Sequence, residues 1–348
     1  MAAKAPANNR LAQINQAFHG FTAFHTLTIG AELNLFLQLG AWPSGLTPGE
    51  LAAQLGLHAP YVRTWCETAF ANAFLDFDAQ TGRFRLGGGL EELLAQPGHP
   101  NFQGGFLQMF GTYFSQEFLE LPKLFRNGQQ SSSRERRQHF AALLKGRGRS
   151  RGMLFESRVL PLLPGLPERL RAGVACLDLG CGAGSFLLYL AERFPNCTFC
   201  GVDVDPHAIA MAQEGLRDAG FPAGVRIEQL EGNDLRYDAA FDLATMSLVL
   251  HEIDYDIRRQ ALTDVYRALK QPGLLAILDF PYPSCIEEFR NPAFSMGVID
   301  QFYEVAWGSR HQSWEEIQAM LAPLGFSRFR REFLAGTPYA LMVAEKAG

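Results

Sequence analysis

Apolar positions keep helical spacing through the first part of the chain and turn to alternating strand and helix patterns later. From Leu11 to Leu39 the spacing is helical (Ile14, Phe18, Phe21, Phe24, Leu27), with Leu33, Leu35, Phe36 and Leu39 following. A helix this apolar must pack on another element or another subunit. Thr47, Pro48 and Glu50 then mark a helix start, as N-cap, first helical residue and capping-box acid, and Gly56 stops the helix. A second helix follows Pro60, with Val62, Trp65, Ala69 and Phe70 on its stripe. Phe74–Phe77 and Arg83–Leu86, either side of Asp78–Gly82, predict a β-hairpin.

An aromatic segment comes next, with Phe102, Phe106, Phe110, Tyr113, Phe114, Phe118 and Phe125. Its helical spacing predicts core packing, with a share in a substrate chamber as the alternative. Between Gln129 and Arg151 the chain turns basic, with Arg134, Arg136, Arg137, Lys145, Arg147, Arg149 and Arg151 against Glu135 alone. A solvated connection or lid is one reading of it, an anionic-ligand patch the other. Pro161, Pro164, Gly165 and Pro167 punctuate the passage onward. That punctuation divides the chain into residues 1–165 and 166–348.

Beyond it, strands and helices alternate as in βαβ units. Strands are predicted from Val174, over Thr198–Val202, Val225–Leu230, Phe241–Leu248 and Leu274–Leu278, with Phe326–Phe333 and Tyr339–Glu345 closing. Helices are predicted at Phe186–Arg193, Pro206–Leu216, Ile257–Leu269 and Ser313–Leu324, the last with Ser313 and Glu316 as a capping box. Pro272-Gly273 is predicted to turn into the strand at Leu274. The first strand runs into a glycine-rich turn, Asp178-x-Gly180-x-Gly182-x-Gly184, before its helix. Such a turn lets backbone approach a nucleotide-like ligand closely. A dinucleotide site wants glycine or alanine at the sixth position, and here that position is Ser185. The acid two places before the first glycine is poor company for a pyrophosphate and suits a cationic ligand.

Asp178–Gly184 resembles motif I of the class I S-adenosylmethionine-dependent methyltransferases, and Asp203 matches the acid that holds the ribose hydroxyls in that family. The order of elements resembles that family's seven-stranded, doubly wound α/β sheet. The helix, turn, helix and hairpin before it resembles a winged-helix module, here a mostly helical N-terminal domain. The resemblance implies S-adenosyl-L-methionine as cofactor and S-adenosyl-L-homocysteine as product, held by Asp178, Gly180, Cys181, Gly182, Gly184, Asp203, Val204 and Ser247. Asn233 or Asp234, in the loop after the third strand of the sheet, is implied on the adenine amine. It also implies dimerisation and substrate lining by the N-terminal domain.

Leu248-Val249-Leu250-His251-Glu252 resembles the Leu-His-Asp segment of the winged-helix O-methyltransferases, whose histidine is a general base. By the same resemblance Asp279 falls where an acid orients that histidine, and His311 near a second acid. Ile253 stands where an aromatic residue is usual, and a histidine replaces the second acid. His251 could instead cap the helix from Ile257 or pack on the cofactor. Tyr303 and Trp307 are candidate substrate walls or core residues.

Composition changes this picture little. The 348 residues carry a formal charge of −5, so no polyanionic partner is implied. The segment Tyr61–Phe74 offers Arg63 and Asn72, offset by Glu67, a poor footprint for DNA. Neither a signal region nor a membrane span is expected. Six scattered cysteines fit reduced core thiols in a cytoplasm, and Cys197 and Cys200 should face opposite sides of a strand, with no metal. The expected protein is a dimeric cytoplasmic methyltransferase of a small apolar or aromatic acceptor, oxygen first. Carbon or nitrogen methylation by positioning, and a winged-helix DNA-binding regulator, are the alternatives.

Overall fold

The computed structural model describes residues 7–99, 101–130, 148–220, 224–232 and 234–346. The chain divides into two compact units, Met1–Ser115 and Gln116–Gly348. That division comes earlier than the expected passage at 165/166, for a packing reason. Phe155, Val159, Leu160 and Leu163 belong to the same buried cluster as Leu187, Phe199 and Leu243 of the sheet domain.

In the first unit, α1 (Ala7–Glu32) and α2 (Leu35–Gly40) replace the single helix expected from Leu11 to Leu39. The break falls at Asn34, whose left-handed backbone (φ 58) a helix cannot contain. α3 (Pro48–Leu55) starts with the expected reciprocal Thr47–Glu50 capping box and ends at Gly56, φ 65. α4 (Ala59–Ala71) buries Val62, Trp65, Cys66 and Ala69. Trp65 donates its indole N–H to the Thr26 carbonyl at 2.9 Å, which satisfies the polar edge of a buried ring. Phe70 is half exposed, packing its ring on Phe77 and Phe84 of the hairpin β1 (Leu75–Asp78) and β2 (Arg83–Leu86). An isolated bridge from Leu46 to Phe84 ties the hairpin back to the start of α3. Leu11, Ile14, Phe18 and Phe21 of α1 stand exposed, while Leu35, Phe36 and Leu39 of α2 are buried. In the aromatic segment Phe110 and Phe114 are buried, as expected of core, but Phe118 and Phe125 are exposed.

The second unit is a seven-stranded sheet. Its strands are β3 (Ala175–Leu179), β4 (Thr198–Asp203), β5 (Val225–Gln229), β6 (Phe241–Ser247), β7 (Leu269–Asp279), β8 (Phe326–Phe333) and β9 (Ala340–Lys346), in the order β5-β4-β3-β6-β7-β9-β8. All pairings are parallel except those of β9 with β7 and β8, which gives the expected reversed final hairpin. β3 and β6 are neighbours although β4 and β5 lie between them in the chain, so the connection reverses there. In open sheets such a switch point, at the carboxyl ends of the strands, is where ligands bind. Pro272-Gly273 does not turn into a new strand. β7 runs through it, and the pairing jumps from Phe241↔Leu269 to Leu243↔Leu274, so Lys270–Gly273 is absorbed as a bulge. Cys197 and Cys200 lie in different buried clusters, one on each face of the sheet, as period-2 alternation requires.

Candidate active site

The carboxyl ends of β3, β4 and β6 bring together residues that are far apart in sequence. Gly180, Gly182 and Gly184 have φ of 77°, 54° and 72°, so the turn after β3 is built on left-handed backbone. At Gly180 a β-carbon would overlap the Val249 side chain, whereas at Gly182 it would meet nothing within 4 Å. The first glycine is thus fixed by packing, and the second leaves backbone open to a ligand. The Gly180 and Cys181 N–H groups both donate to the Val202 carbonyl, at 2.8 and 3.0 Å, which locks the turn onto β4.

Asp203, at the tip of β4, accepts from the Gly182 N–H at 2.8 Å on one oxygen and from the Asp205 N–H at 2.9 Å on the other. Each oxygen keeps a lone pair, so the carboxylate is held rigidly and can still take two hydroxyls. Burial raises its pKa, and those two N–H donors oppose the rise. Asp178 is buried on β3 and accepts from the Thr245 hydroxyl at 2.7 Å. Burial pushes its carboxyl up to about 7, against the lowering effects of Thr245 and the Arg151 charge. Ser247 ends β6, with a buried hydroxyl that has no hydrogen-bond partner among the described residues. These groups suit the implied cofactor: a carboxylate short of positive charge, a second one presenting two acceptors, and an open glycine turn between them. Val204 is exposed beside Asp203. Asp234 is exposed and paired with Arg236 at 2.8 Å, so its carboxylate is already engaged, and Asn233 lies outside the described residues.

One strand further on, β6 leads into a loop whose first residue, Leu248, has φ 56 and whose N–H donates to the Leu278 carbonyl at 2.8 Å. This backbone turns His251 inward, where it is buried. Its Nδ1 lies 2.9 Å from the Asp279 carboxylate at the end of β7, which also accepts from the Phe280 N–H at 2.8 Å. The ring therefore does not cap the following helix, α7 (Tyr255–Ala268), whose N-cap is Asp254. Arg258 of α7 donates to the His251 and Ile253 carbonyls, at 3.0 and 2.6 Å, and fixes the loop from beneath. His311 is buried and stacks on His251 with ring centroids 4.1 Å apart and planes 19° from parallel.

Two acids that the sequence reading did not single out complete the cluster. In α8 (Ser295–Glu304), Asp300 and Glu304 are one helical turn apart on the same face. The Asp300 carboxylate lies 2.8 Å from His311 Nε2 and 3.8 Å from His251 Nε2. Glu304 is buried with one carboxyl oxygen unpartnered among the described residues, and burial raises its pKa to about 8, with His251 opposing and Glu252 and Asp300 adding to the rise. For His251, burial favours the neutral ring, but the charge and hydrogen bond of Asp279 prevail, with Glu304 and Glu252 adding, and the pKa is raised to about 10. Asp279 is correspondingly lowered: burial opposes this, and the neighbouring imidazole outweighs it. The signal in the sequence for the two acids of α8 is their i, i+4 spacing on one helix.

Arg151, from the end of the basic segment, also reaches this edge of the sheet. Its guanidinium donates to the Ser247 carbonyl at 3.4 Å and acts on Asp178. Within the basic segment, residues 131–147 lie outside the described residues, while Arg149 pairs with Glu192 at 3.2 Å. Tyr303 is buried and packs edge-on to Phe118 at 5.5 Å, which makes it core, and Trp307 is half-buried.

Residues 177–275 match a protein family described as a methyltransferase domain. A demethylmenaquinone methyltransferase of Thermus thermophilus is 34% identical over 129 residues, 36% of this chain and 53% of that protein, so the chain spans about half of that relative's length. Among solved structures, human N-acetylserotonin methyltransferase in complex with SAM superposes with a TM-score of 0.81 at 18% identity, covering 100% of both chains. The mitomycin 7-O-methyltransferase does so with a TM-score of 0.76 at 18% identity, covering 98% of this chain and 100% of its own. At such identities the likeness to these structures is one of fold.

Proposed function

We propose, from the premise that this chain is a class I S-adenosylmethionine-dependent methyltransferase, that it methylates an oxygen of a small, largely apolar or aromatic acceptor. The observation that carries this reading is the buried His251–Asp279 pair, one strand from the glycine turn and on the same edge of the sheet. When bound, the cofactor supplies a methyl group already activated on sulfur, so what is asked of the protein is alignment and a place for the acceptor's proton. Asp203 would hold the ribose hydroxyls, Asp178 would face the ammonium, and Arg151 would pair with the carboxylate. Asp279 fixes His251 through Nδ1, which leaves Nε2 for the acceptor hydroxyl.

In the resting protein the His251 ring carries a proton at neutral pH, because its pKa is raised to about 10. A sulfonium charge nearby opposes that proton. Whether the ring loses it first or the hydroxyl ionises first, the arrangement at transfer is the same: a negative oxygen against a protonated imidazole. The charged resting ring also favours a second reading, in which His251 only orients an acceptor methylated at carbon or nitrogen. Labelled cofactor with a panel of phenols, quinols and anilines separates the two by the atom that gains the label. His251→Ala should lose most turnover and keep cofactor affinity; unchanged turnover would remove the base role.

The exposed Leu11, Ile14, Phe18 and Phe21 of α1 support a homodimer formed through the N-terminal unit. Six free cysteines, five of them buried, support a reducing cytoplasm. Among the described residues no helix is long and apolar enough to cross a membrane.

A further inference from the structure

A buried imidazole must give up the proton it holds before it can take the next one from an acceptor. His251 is buried, so water does not reach it freely. His251, Glu304 and Glu252 each bring a ring nitrogen or carboxylate oxygen to within 4.8 Å of the others. The three form a gradient of access, for His251 and Glu304 are buried and Glu252 is exposed. One Glu304 oxygen is buried with no hydrogen-bond partner among the described residues, in a place where an unpaired carboxylate oxygen is costly. A group that alternates between carboxylate and carboxylic acid accounts for such an atom. We propose that Glu304 is the proton outlet of His251, taking the proton from the imidazole and passing it to Glu252 at the surface.

The step balances without a co-reactant. The Nε2–H bond breaks with its electron pair staying on nitrogen, an O–H bond forms on Glu304, and the same exchange repeats to Glu252 and then to water. The other groups facing this path hold it in place. Asp279 sits on the opposite nitrogen, Asp300 lies 3.8 Å from Nε2, and His311 covers one face of the ring. Arg258, beneath the loop, engages the His251 and Ile253 carbonyls. The raised pKa of Glu304, about 8, agrees with a group able to exist in both forms near neutrality.

This inference rests on the base reading for its purpose, but its test does not need an acceptor. In the full-length protein, exchange of the His251 Nε2 proton with water can be followed by nitrogen-15 NMR. Glu304→Gln keeps the shape and cannot carry a proton; exchange should slow about tenfold or more, and added formate should restore it in proportion to concentration. Glu252→Gln, a change at an exposed position, should slow exchange by a smaller factor. Unchanged exchange in both variants, or a slowing that formate does not relieve, overturns the outlet. If His251→Ala keeps methyl transfer while Glu304→Gln shows the formate-dependent slowing, the base reading fails and the proton path stands.

Discussion

Replacing Asp279 by asparagine tests the electrostatics of the site most directly. The substitution keeps a hydrogen-bonding oxygen near His251 Nδ1 and removes a charge held at 2.9 Å. His251 is lifted from 6.5 to about 10 although burial alone would lower it, and Asp279 is the largest of the groups that raise it. An opposite charge this close typically shifts a pKa by about 1–3 units, so the midpoint in Asp279→Asn should fall to between about 7 and 9. At about 1.4 kcal/mol per unit, the charged ring loses about 1.4–4 kcal/mol of stabilisation. A folded-state pKa raised above its unfolded value stabilises the fold fully below about 6.5, and that contribution is lost as pH rises through about 10. The stability gap between parent and variant should therefore be widest below pH 6.5 and should close toward alkaline pH. Nitrogen-15 titration of the imidazole reads the midpoint, and urea melts at a series of pH values read the gap. A midpoint that does not move, or a gap independent of pH, would refute the reasoning.

The carboxyl of Asp178, near 7 by burial, must be ionised to meet an ammonium, so cofactor binding should expel a proton. Affinity measured by calorimetry should weaken up to about tenfold per unit as pH falls below 7 and level off above it; equal affinity from pH 5.5 to 8 would contradict this. Gly180→Ala combines a left-handed backbone with overlap onto Val249 and should cost about 2–4 kcal/mol, whereas Gly182→Ala, which meets no neighbour, should cost about 1–2 kcal/mol. Thermal melts that rank the two in the opposite order would count against the packing account of the turn. Phe18→Asp on the exposed face of α1 should convert a dimer to a monomer in light scattering; a monomeric parent would dispose of the pairing.

What was legible in the sequence depended on the range of the interaction. The Thr47–Glu50 and Ser313–Glu316 capping boxes are local patterns, and both form as written. The glycine turn and the acid one strand later follow from a βα repeat, which brings Asp203 onto the Gly182 N–H. The break at Asn34 was hidden because apolar spacing continues across it while one residue adopts a left-handed backbone. Pro272-Gly273 reads as a turn in isolation, but pairing with β6 and β9 on either side carries β7 through it. The i, i+4 spacing of Asp300 and Glu304 can be read from the sequence, but their meeting with His251, and that of Arg151 with Asp178, follows only from distant elements coming together. Arg151 was further masked by the basic residues around it.

The segment before residue 166 bears on how this protein can be cut. Phe155 stacks edge-on against Phe186 at 5.6 Å, and Glu156 binds both the Tyr189 hydroxyl and Arg193. A fragment excised at residue 166 would bare that greasy surface on the helix following the glycine turn and would lose Arg151 from beside Ser247. One begun at residue 116 holds the whole second compact unit and keeps that surface covered.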